Sequence, residues 1–305
     1  MKDNKQSGII ILKITIIPLL KKGDLIQQKG IEIVLSLLRF NKERELMLYI
    51  KDRFQLYKGD CLEVMKDIPD KSVNLILCDL PYGTTELTWD KHVNSNDLWT
   101  QYNRIIKLQG NIVLFSTQPF TTKLINSNPT MFRYEIIWVK SRPTGFANSN
   151  YRPMRKHENI LVFTKSSTST ASHIHATYNP QNLIMKERKI KRTSRGYQGE
   201  RINSKDEYVS KFTNYPTSVW EFKSEGKTFH PSQKPILLLE ELIKTFSNEN
   251  ELVLDNCMGS GSTGVACLNT NRKFIGIEKD DKYFDIAYNR INECIKTKIT
   301  GRNEI

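Results

Sequence analysis

Cysteine is scarce, with five residues in a chain of 305, at Cys61, Cys78, Cys257, Cys267 and Cys294, an odd number in no metal-ligand spacing. This argues against a disulfide framework or a zinc site and points to a reducing, cytoplasmic setting. Long apolar runs are wanting too. Ile9 to Leu20 is apolar, but Lys13 and Pro18 interrupt it and it is too short to cross a bilayer, so no membrane partner and no leader cleavage site are expected. Acidic residues are in deficit: 33 Asp+Glu against 46 Lys+Arg leave +13 at pH 7. That surplus suits a polyanion and predicts salt-sensitive binding. His173 and His175 lack a third ligand at suitable spacing, so they are read as loop histidines and no metal is expected.

What the chain does have is a pair of short motifs at strand ends. Val73-Asn74-Leu75-Ile76-Leu77-Cys78 predicts a buried strand, and Asp79-Leu80-Pro81-Tyr82-Gly83 follows it directly. At such a turn a carboxylate and main-chain carbonyls accept hydrogen bonds from an exocyclic amine, Pro81 stiffens the backbone, and a tyrosine ring lies against a planar base. A nucleobase nitrogen suits this chemistry, although the tetrapeptide alone also fits an ordinary β-turn. Far downstream, Glu251 to Asp255 predicts a short strand, Asn256 to Gly264 a glycine-rich turn, and Val265 to Asn269 a helix. Glycines let backbone approach a ligand, and the free amides of a helix start favour an anion. Gly259, Gly261 and Gly264 resemble a dinucleotide fingerprint only superficially, and the Lys-Ser/Thr ending of a phosphate-gripping loop is missing. The next strand, Lys273 to Ile277, ends at Glu278, where a carboxylate can accept from ribose hydroxyls. Together these features describe an adenosine site.

In this order the motifs resemble the β group of S-adenosylmethionine-dependent DNA amino-methyltransferases, in which an Asp/Asn/Ser-X-Pro-Tyr/Phe box precedes the glycine-rich cofactor loop. The resemblance spans Phe54 to Cys294, the middle excepted. It implies a doubly wound, mostly parallel, Rossmann-like α/β sheet in permuted order with an inserted target-recognition lobe, S-adenosyl-L-methionine as cofactor, and double-stranded DNA as partner. It makes Asp79, Leu80, Pro81 and Tyr82 the catalytic set, with Tyr82 stacking on a base flipped out of the duplex. Asp60, Cys61, Lys234, Asp255, Gly259, Ser260, Gly261, Thr263 and Glu278 become the cofactor set. Within it, Asp60 and Cys61 resemble adenine-edge contacts. His230-Pro231-Ser232-Gln233-Lys234-Pro235, ahead of a helix from Ile236 to Phe246, resembles the segment closing over the cofactor's amino-acid end.

The box departs from the family's usual proline at Leu80, whose carbonyl should still face the site. Asp in first place is commoner among adenine N6 enzymes, so adenine N6 is the expected target. Cytosine N4 is the alternative. A catalytically inactive relative that binds nucleic acid, or one modifying RNA or a protein amide, is the reading from a different class. A homodimer and a separate restriction endonuclease are the further partners the resemblance implies, since the chain holds no nuclease motif.

Between the motifs the pattern predicts a helix over Asp97 to Lys107, a strand over Asn111 to Phe115, a helix opening at Ser116 to Phe120, and strands over Arg133 to Val139 and Glu158 to Phe163. The link from Lys140 to Lys156 mixes cations, amides and aromatics and is expected to overhang the catalytic strand end. Ser166 to Thr170 predicts a flexible boundary, and Met185 to Tyr197 is strongly basic with little periodicity. The family's insert at this place implies DNA contact by Lys186, Arg188, Lys189, Lys191, Arg192 and Arg195. A solvated loop is the plain alternative. The expected division is an N-terminal extension over 1–50, a catalytic half over 51–165, the insert over 166–229 and a cofactor half over 230–305. Met1 to Leu46 lies outside the resemblance, and Met47 shortly precedes the first matched strand. Read alone, Asp60 caps a helix over Leu62 to Lys66, Glu278 pairs with Lys279, and Lys234 is a charge at a helix start.

Overall fold

A computed structural model describes residues 50, 52–82, 93–168, 174–191, 207–226, 229 and 233–300. The elements below belong to the unit Arg53–Lys296, apart from the last residues of the final helix. In chain order they are β1 (Phe54–Lys58), α1 (Cys61–Met65), β2 (Val73–Cys78), α2 (Ser95–Ile105), β3 (Ile106–Ser116), α3 (Phe120–Ser127), β4 (Phe132–Thr144) and β5 (Arg155–Phe163). There follow β6 (Ile184–Lys191), β7 (Glu207–Thr213), β8 (Val219–Phe222), α4 (Ile236–Phe246), β9 (Leu252–Asp255), α5 (Ser262–Asn269), β10 (Lys273–Glu278) and α6 (Asp281–Thr300).

Eight strands form one sheet in the order β1-β10-β9-β2-β3-β5-β4-β8. From β1 to β3 every neighbour is parallel, and β5 then runs antiparallel to both β3 and β4. Parallel strands covered on both faces need continuous apolar sequence, which β2 supplies from Leu75 to Cys78, all buried. Alternation sends Ile76 and Cys78, Ile112 and Leu114, and Ile275 and Ile277 to one face, where they join Leu98, Trp99, Tyr102 and Ile105 of α2 in a single core. The opposite parity, including Leu75, Phe115 and Phe274, faces the side of α4 and α5. In α4 the burial of Leu238, Leu239, Leu242, Ile243 and Phe246 follows helical spacing.

The chain leaves β9 through α5 towards β10 and β1, but leaves β2 through α2 towards β3 on the other side. The strand order therefore reverses between β9 and β2, and a crevice at the carboxyl ends of those two strands follows from the topology. The permuted, doubly wound sheet expected from the sequence is the observed one.

Several local expectations are corrected. The α2 helix ends at Ile105, and Lys107 already belongs to β3. Much of the link from Lys140 to Lys156 is strand, because β4 and β5 run on as a hairpin to the pair Thr144↔Arg155. The basic stretch expected to be irregular forms β6, paired antiparallel with β7 in a separate two-stranded sheet. Cross-strand hydrogen bonds confer this order, which apolar periodicity does not report. After that hairpin the chain returns as β8, parallel to β4, so the segment 166–229 also contributes an edge strand to the main sheet.

Candidate active site

Asp79 lies one residue beyond β2, in the crevice. Its Oδ1 accepts the Tyr82 hydroxyl at 2.7 Å and its Oδ2 accepts Lys234 Nζ at 2.5 Å. Lys234 stands two residues before α4 and also lies 3.4 Å from Glu158 Oε2, while Lys140 Nζ reaches Glu158 Oε1 at 3.2 Å. Two carboxylates and two ammonium groups thus alternate in a row that is electrically neutral overall. Burial is the main influence on Asp79 and pushes its carboxyl above the usual range, against the pull of Lys234. Burial also opposes the charge on Lys234, but Asp79 and Glu158 outweigh it and hold the ammonium above its ordinary value. Glu158 is likewise penalised by burial, yet Lys234 and Lys140 carry its carboxyl below the usual range. The Tyr82 ring stacks on Phe120, with centroids 4.9 Å apart at 29°. Leu80 is buried in the core and anchors the turn.

Of the residues expected to hold a cofactor, Asp60, Asp255, Gly259 and Glu278 lie around the ends of β1, β10 and β9. Asp255 is buried, accepting the Thr263 hydroxyl at 2.6 Å and the Cys257 amide at 3.1 Å, and burial raises its pKa to about 7. Glu278 Oε2 accepts the Gly259 amide at 2.9 Å and Oε1 the Asp280 amide at 2.8 Å. Next to it, the Gly59 amide donates to the Glu278 carbonyl at 2.9 Å, which brings Asp60 beside Glu278. Three carboxylates bordering a glycine turn fit a nucleoside with two ribose hydroxyls and a cationic amino-acid end.

The glycines of the turn serve packing as well. At Gly261, φ is +78° and a Cβ would lie 2.9 Å from the Ala287 Cβ of α6. A Cβ on Gly264 would meet Ile291 of the same helix at 2.5 Å. These two positions let α5 and α6 approach closely, so the expectation that they face a ligand needs that second reason beside it.

The cofactor residues predicted from sequence divide in the structure. Asp60 caps α1 through the Leu62 amide at 3.0 Å and pairs with Lys279 at 3.0 Å, the partner that the plain reading gave to Glu278. Cys61 packs against the core with Cys257 as its thiol neighbour. Ser260 Oγ donates to Gln233 Oε1 at 3.2 Å, so the segment holding Gln233 and Lys234 bridges the glycine turn and the catalytic turn. Lys234, expected over the cofactor's amino-acid end, is found on Asp79. On β6, Lys186, Arg188 and Lys189 are exposed, and strand alternation puts Arg188 and Lys189 on opposite faces; Lys191 is the last residue of the strand. Arg192 and Arg195 lie outside the described residues, as do His173 and the first residues of the His230 to Lys234 segment. Among the described residues no cluster suits a metal ion, and no helix is long and apolar enough to cross a membrane.

Sequence reasoning missed Glu158 as a site residue. Its trace was a carboxylate opening the apolar strand Asn159 to Phe163, with Lys140 continuing the neighbouring apolar strand. Phe120 was missed as the ring beneath Tyr82.

Residues 73–289 match the family described as DNA methylase. The type II methyltransferase M.HinfI of Haemophilus influenzae is 29% identical over 265 residues, which covers 78% of this chain and 68% of that protein. The DNA adenine methyltransferase YhdJ of Escherichia coli K12 is 27% identical over 252 residues, covering 77% of this chain and 81% of that protein. Among solved structures, the M1.HpyAVI-SAM complex aligns with a TM-score of 0.52 at 26% identity, covering 78% of this chain and 99% of that one.

Proposed function

The chain belongs to the DNA methylase family, and from that premise we propose that it transfers a methyl group from S-adenosyl-L-methionine to the exocyclic N6 of adenine in double-stranded DNA. The observation that carries the reading is the position of Asp79: a half-buried carboxylate at the end of β2, across the strand-order reversal from Asp255 and the glycine turn. The adenine relative and the SAM-bound structure named above support the base and the cofactor.

Glu278 and Asp60 would hold the adenosine end of the cofactor, and Asp255 with the Gly259 turn its amino-acid end. When bound, S-adenosyl-L-methionine supplies an electrophilic methyl group on a sulfonium. The chain's own part is alignment and charge placement. An aromatic amine attacks poorly because its lone pair is delocalised into the ring. Asp79 and the Leu80 carbonyl, accepting its N–H groups, localise that lone pair on nitrogen. With S-adenosyl-L-methionine bound, the amine held by Asp79 and the Leu80 carbonyl would be the methyl acceptor, and the proton it displaces would pass to solvent. Tyr82, backed by Phe120 and bonded to Asp79, offers a fixed ring for a base extruded from the duplex.

DNA recognition falls in this reading to the hairpin of β6 and β7 within the segment 166–229, with Lys186, Arg188, Lys189, Lys191, Arg192 and Arg195 as phosphate partners. A homodimer and a separate restriction endonuclease are its further partners, to be sought by sedimentation and in the neighbouring coding sequences. The deciding experiment is sequencing that resolves modified bases, on DNA from a methylation-free host expressing the wild type or Asp79→Ala. N6-methyladenine confined to one short motif, and lost with Asp79→Ala, is the expected result. N4-methylcytosine would transfer the assignment to the other amino group, and an unmarked genome despite cofactor binding would overturn it.

A further inference from the structure

Both oxygens of Asp79 are already engaged, Oδ1 by the Tyr82 hydroxyl and Oδ2 by Lys234 Nζ. Each oxygen keeps a second lone pair, but the ammonium 2.5 Å from Oδ2 competes with an incoming amine for that oxygen's charge and space. Glu158 Oε2 is shielded from solvent and is one of two buried side-chain oxygens among the described residues that make no hydrogen bond. Such an atom is costly to leave unmatched. Lys234 Nζ lies 3.4 Å from it, a longer contact than the 2.5 Å hydrogen bond the same ammonium gives Asp79. Glu158 is held in place from its other oxygen by Lys140, whose Nζ also reaches the Thr144 hydroxyl at 3.3 Å. The Phe115 ring, 5.0 Å from Lys234 Nζ, lines one side of the ammonium.

We propose that Lys234 is a positioning residue that holds Asp79 in the DNA-free protein and hands its hydrogen bond to Glu158 Oε2 when the amino group of the flipped base arrives. This inference rests on the amino-methyltransferase reading above. The charge row makes the transfer a short rearrangement: the ammonium keeps a carboxylate partner throughout, Asp79 Oδ2 is freed for the amine, and Glu158 Oε2 gains a closer donor. Asp79 exchanges the ammonium for the amine N–H and keeps the Tyr82 hydroxyl, so its carboxylate has a donor on each oxygen at both stages. Among the described residues, the charged and titratable groups around Asp79 are Lys234 ahead of α4, Glu158 on β5, Lys140 on β4, Tyr82 in its own turn, Cys78 on β2 and Asp255 on β9. Of these, only Lys234 is a cation in contact with both Asp79 and Glu158.

Two measurements on the full chain test this. The first follows the Asp79 side-chain carboxyl carbon by NMR across a pH titration without DNA, assigned through Asp79→Asn. Lys234→Gln should raise its midpoint by about one unit or more, and adding Glu158→Gln should bring it back down. The second measures single-turnover methyl transfer to unmethylated phage DNA. Lys234→Gln and Glu158→Gln should each slow transfer by about tenfold or more at unchanged cofactor affinity, and the double variant should be faster than Lys234→Gln alone. A purely structural pair loses rate in step with its loss of thermal midpoint, so the midpoints of the three variants are read beside their rates and should not account for the slowing. An Asp79 titration indifferent to Lys234→Gln, or a double variant slower than both singles, overturns the proposal. A wild-type chain that transfers no methyl group sinks the functional reading instead, and the titration still decides whether Lys234 governs Asp79.

Discussion

Asp255 carries a conflict between stability and binding. It is buried with two donors, the Thr263 hydroxyl and the Cys257 amide, yet its pKa stands near 7 against an ordinary 3.8. A carboxyl that holds its proton more tightly when folded loses it first in the unfolded chain as pH rises. Stability from this group therefore declines between about pH 4 and pH 7 and stays low above that window. Asparagine has nearly the same shape and does not titrate, and the Thr263 hydroxyl can turn to accept from its amide. Asp255→Asn should thus raise the urea midpoint of the cofactor-free protein at about pH 8 and leave it nearly unchanged at about pH 4. Cofactor affinity should fall by about tenfold or more, the scale of one charge-assisted hydrogen bond. Equal midpoints at both pH values would show Asp255 to be ionised at little cost, and unchanged affinity would remove it from the cofactor set. This residue was legible from sequence because strand, carboxylate and glycine turn are contiguous. Glu158 was not, because its place in the site depends on Lys234 and Asp79, which are themselves 155 residues apart.

The hairpin of β6 and β7 makes a sheet of its own, and its approach to the domain is fixed at the base. Asn179 donates through its amide to the Thr245 carbonyl at 2.8 Å, and its Nδ2 reaches the Lys244 and Ser247 carbonyls at 3.1 Å each, at the end of α4. Asn111 of β3 holds the Thr177 carbonyl at 2.8 Å. A basic arm anchored in this way can be stripped of charge without disturbing the sheet that carries the cofactor set. The triple variant Lys186→Ala, Arg188→Ala, Lys189→Ala should bind duplex DNA more weakly, and its affinity should depend less on salt, by about 0.9 in log-log slope for each phosphate it no longer neutralises. Cofactor affinity should stay at the wild-type value. A slope identical to wild type would return these cations to the solvated-loop reading. Strands buried on both faces announce themselves in sequence by their apolar runs, as β2 does; β6 does not, since most of its residues are charged and its order comes from backbone pairing with β7. The same reasoning explains why β8, with its alternately exposed residues at the edge of the sheet, passed for part of the insert.

At the scale of the molecule, the order of the two motifs was enough to foresee a permuted sheet, whereas the antiparallel turn at β5 and the return of β8 depend on pairings between segments whose sequence patterns are alike. Among the described residues, permutation also makes β1 an edge strand paired with β10 alone, near the other end of the chain. Arg53, just before it, is buried and closes this edge: Nη1 donates to Asn250 Oδ1 at 2.9 Å, Nη2 to the Asn271 carbonyl at 2.8 Å, and its own carbonyl accepts the Phe274 amide at 2.9 Å. From Arg53 onward the sheet thus ties its first strand to the cofactor half with its own groups, and the DNA methylase match begins later still, at residue 73. A chain started at Met47 should keep its thermal midpoint within about 2 °C and transfer methyl groups to DNA at the wild-type rate. A lowered midpoint would make the earlier residues part of the fold's support. An unchanged midpoint with weakened DNA binding would make them an arm that holds the substrate, and either result would overturn the view that Arg53 marks where the catalytic body begins.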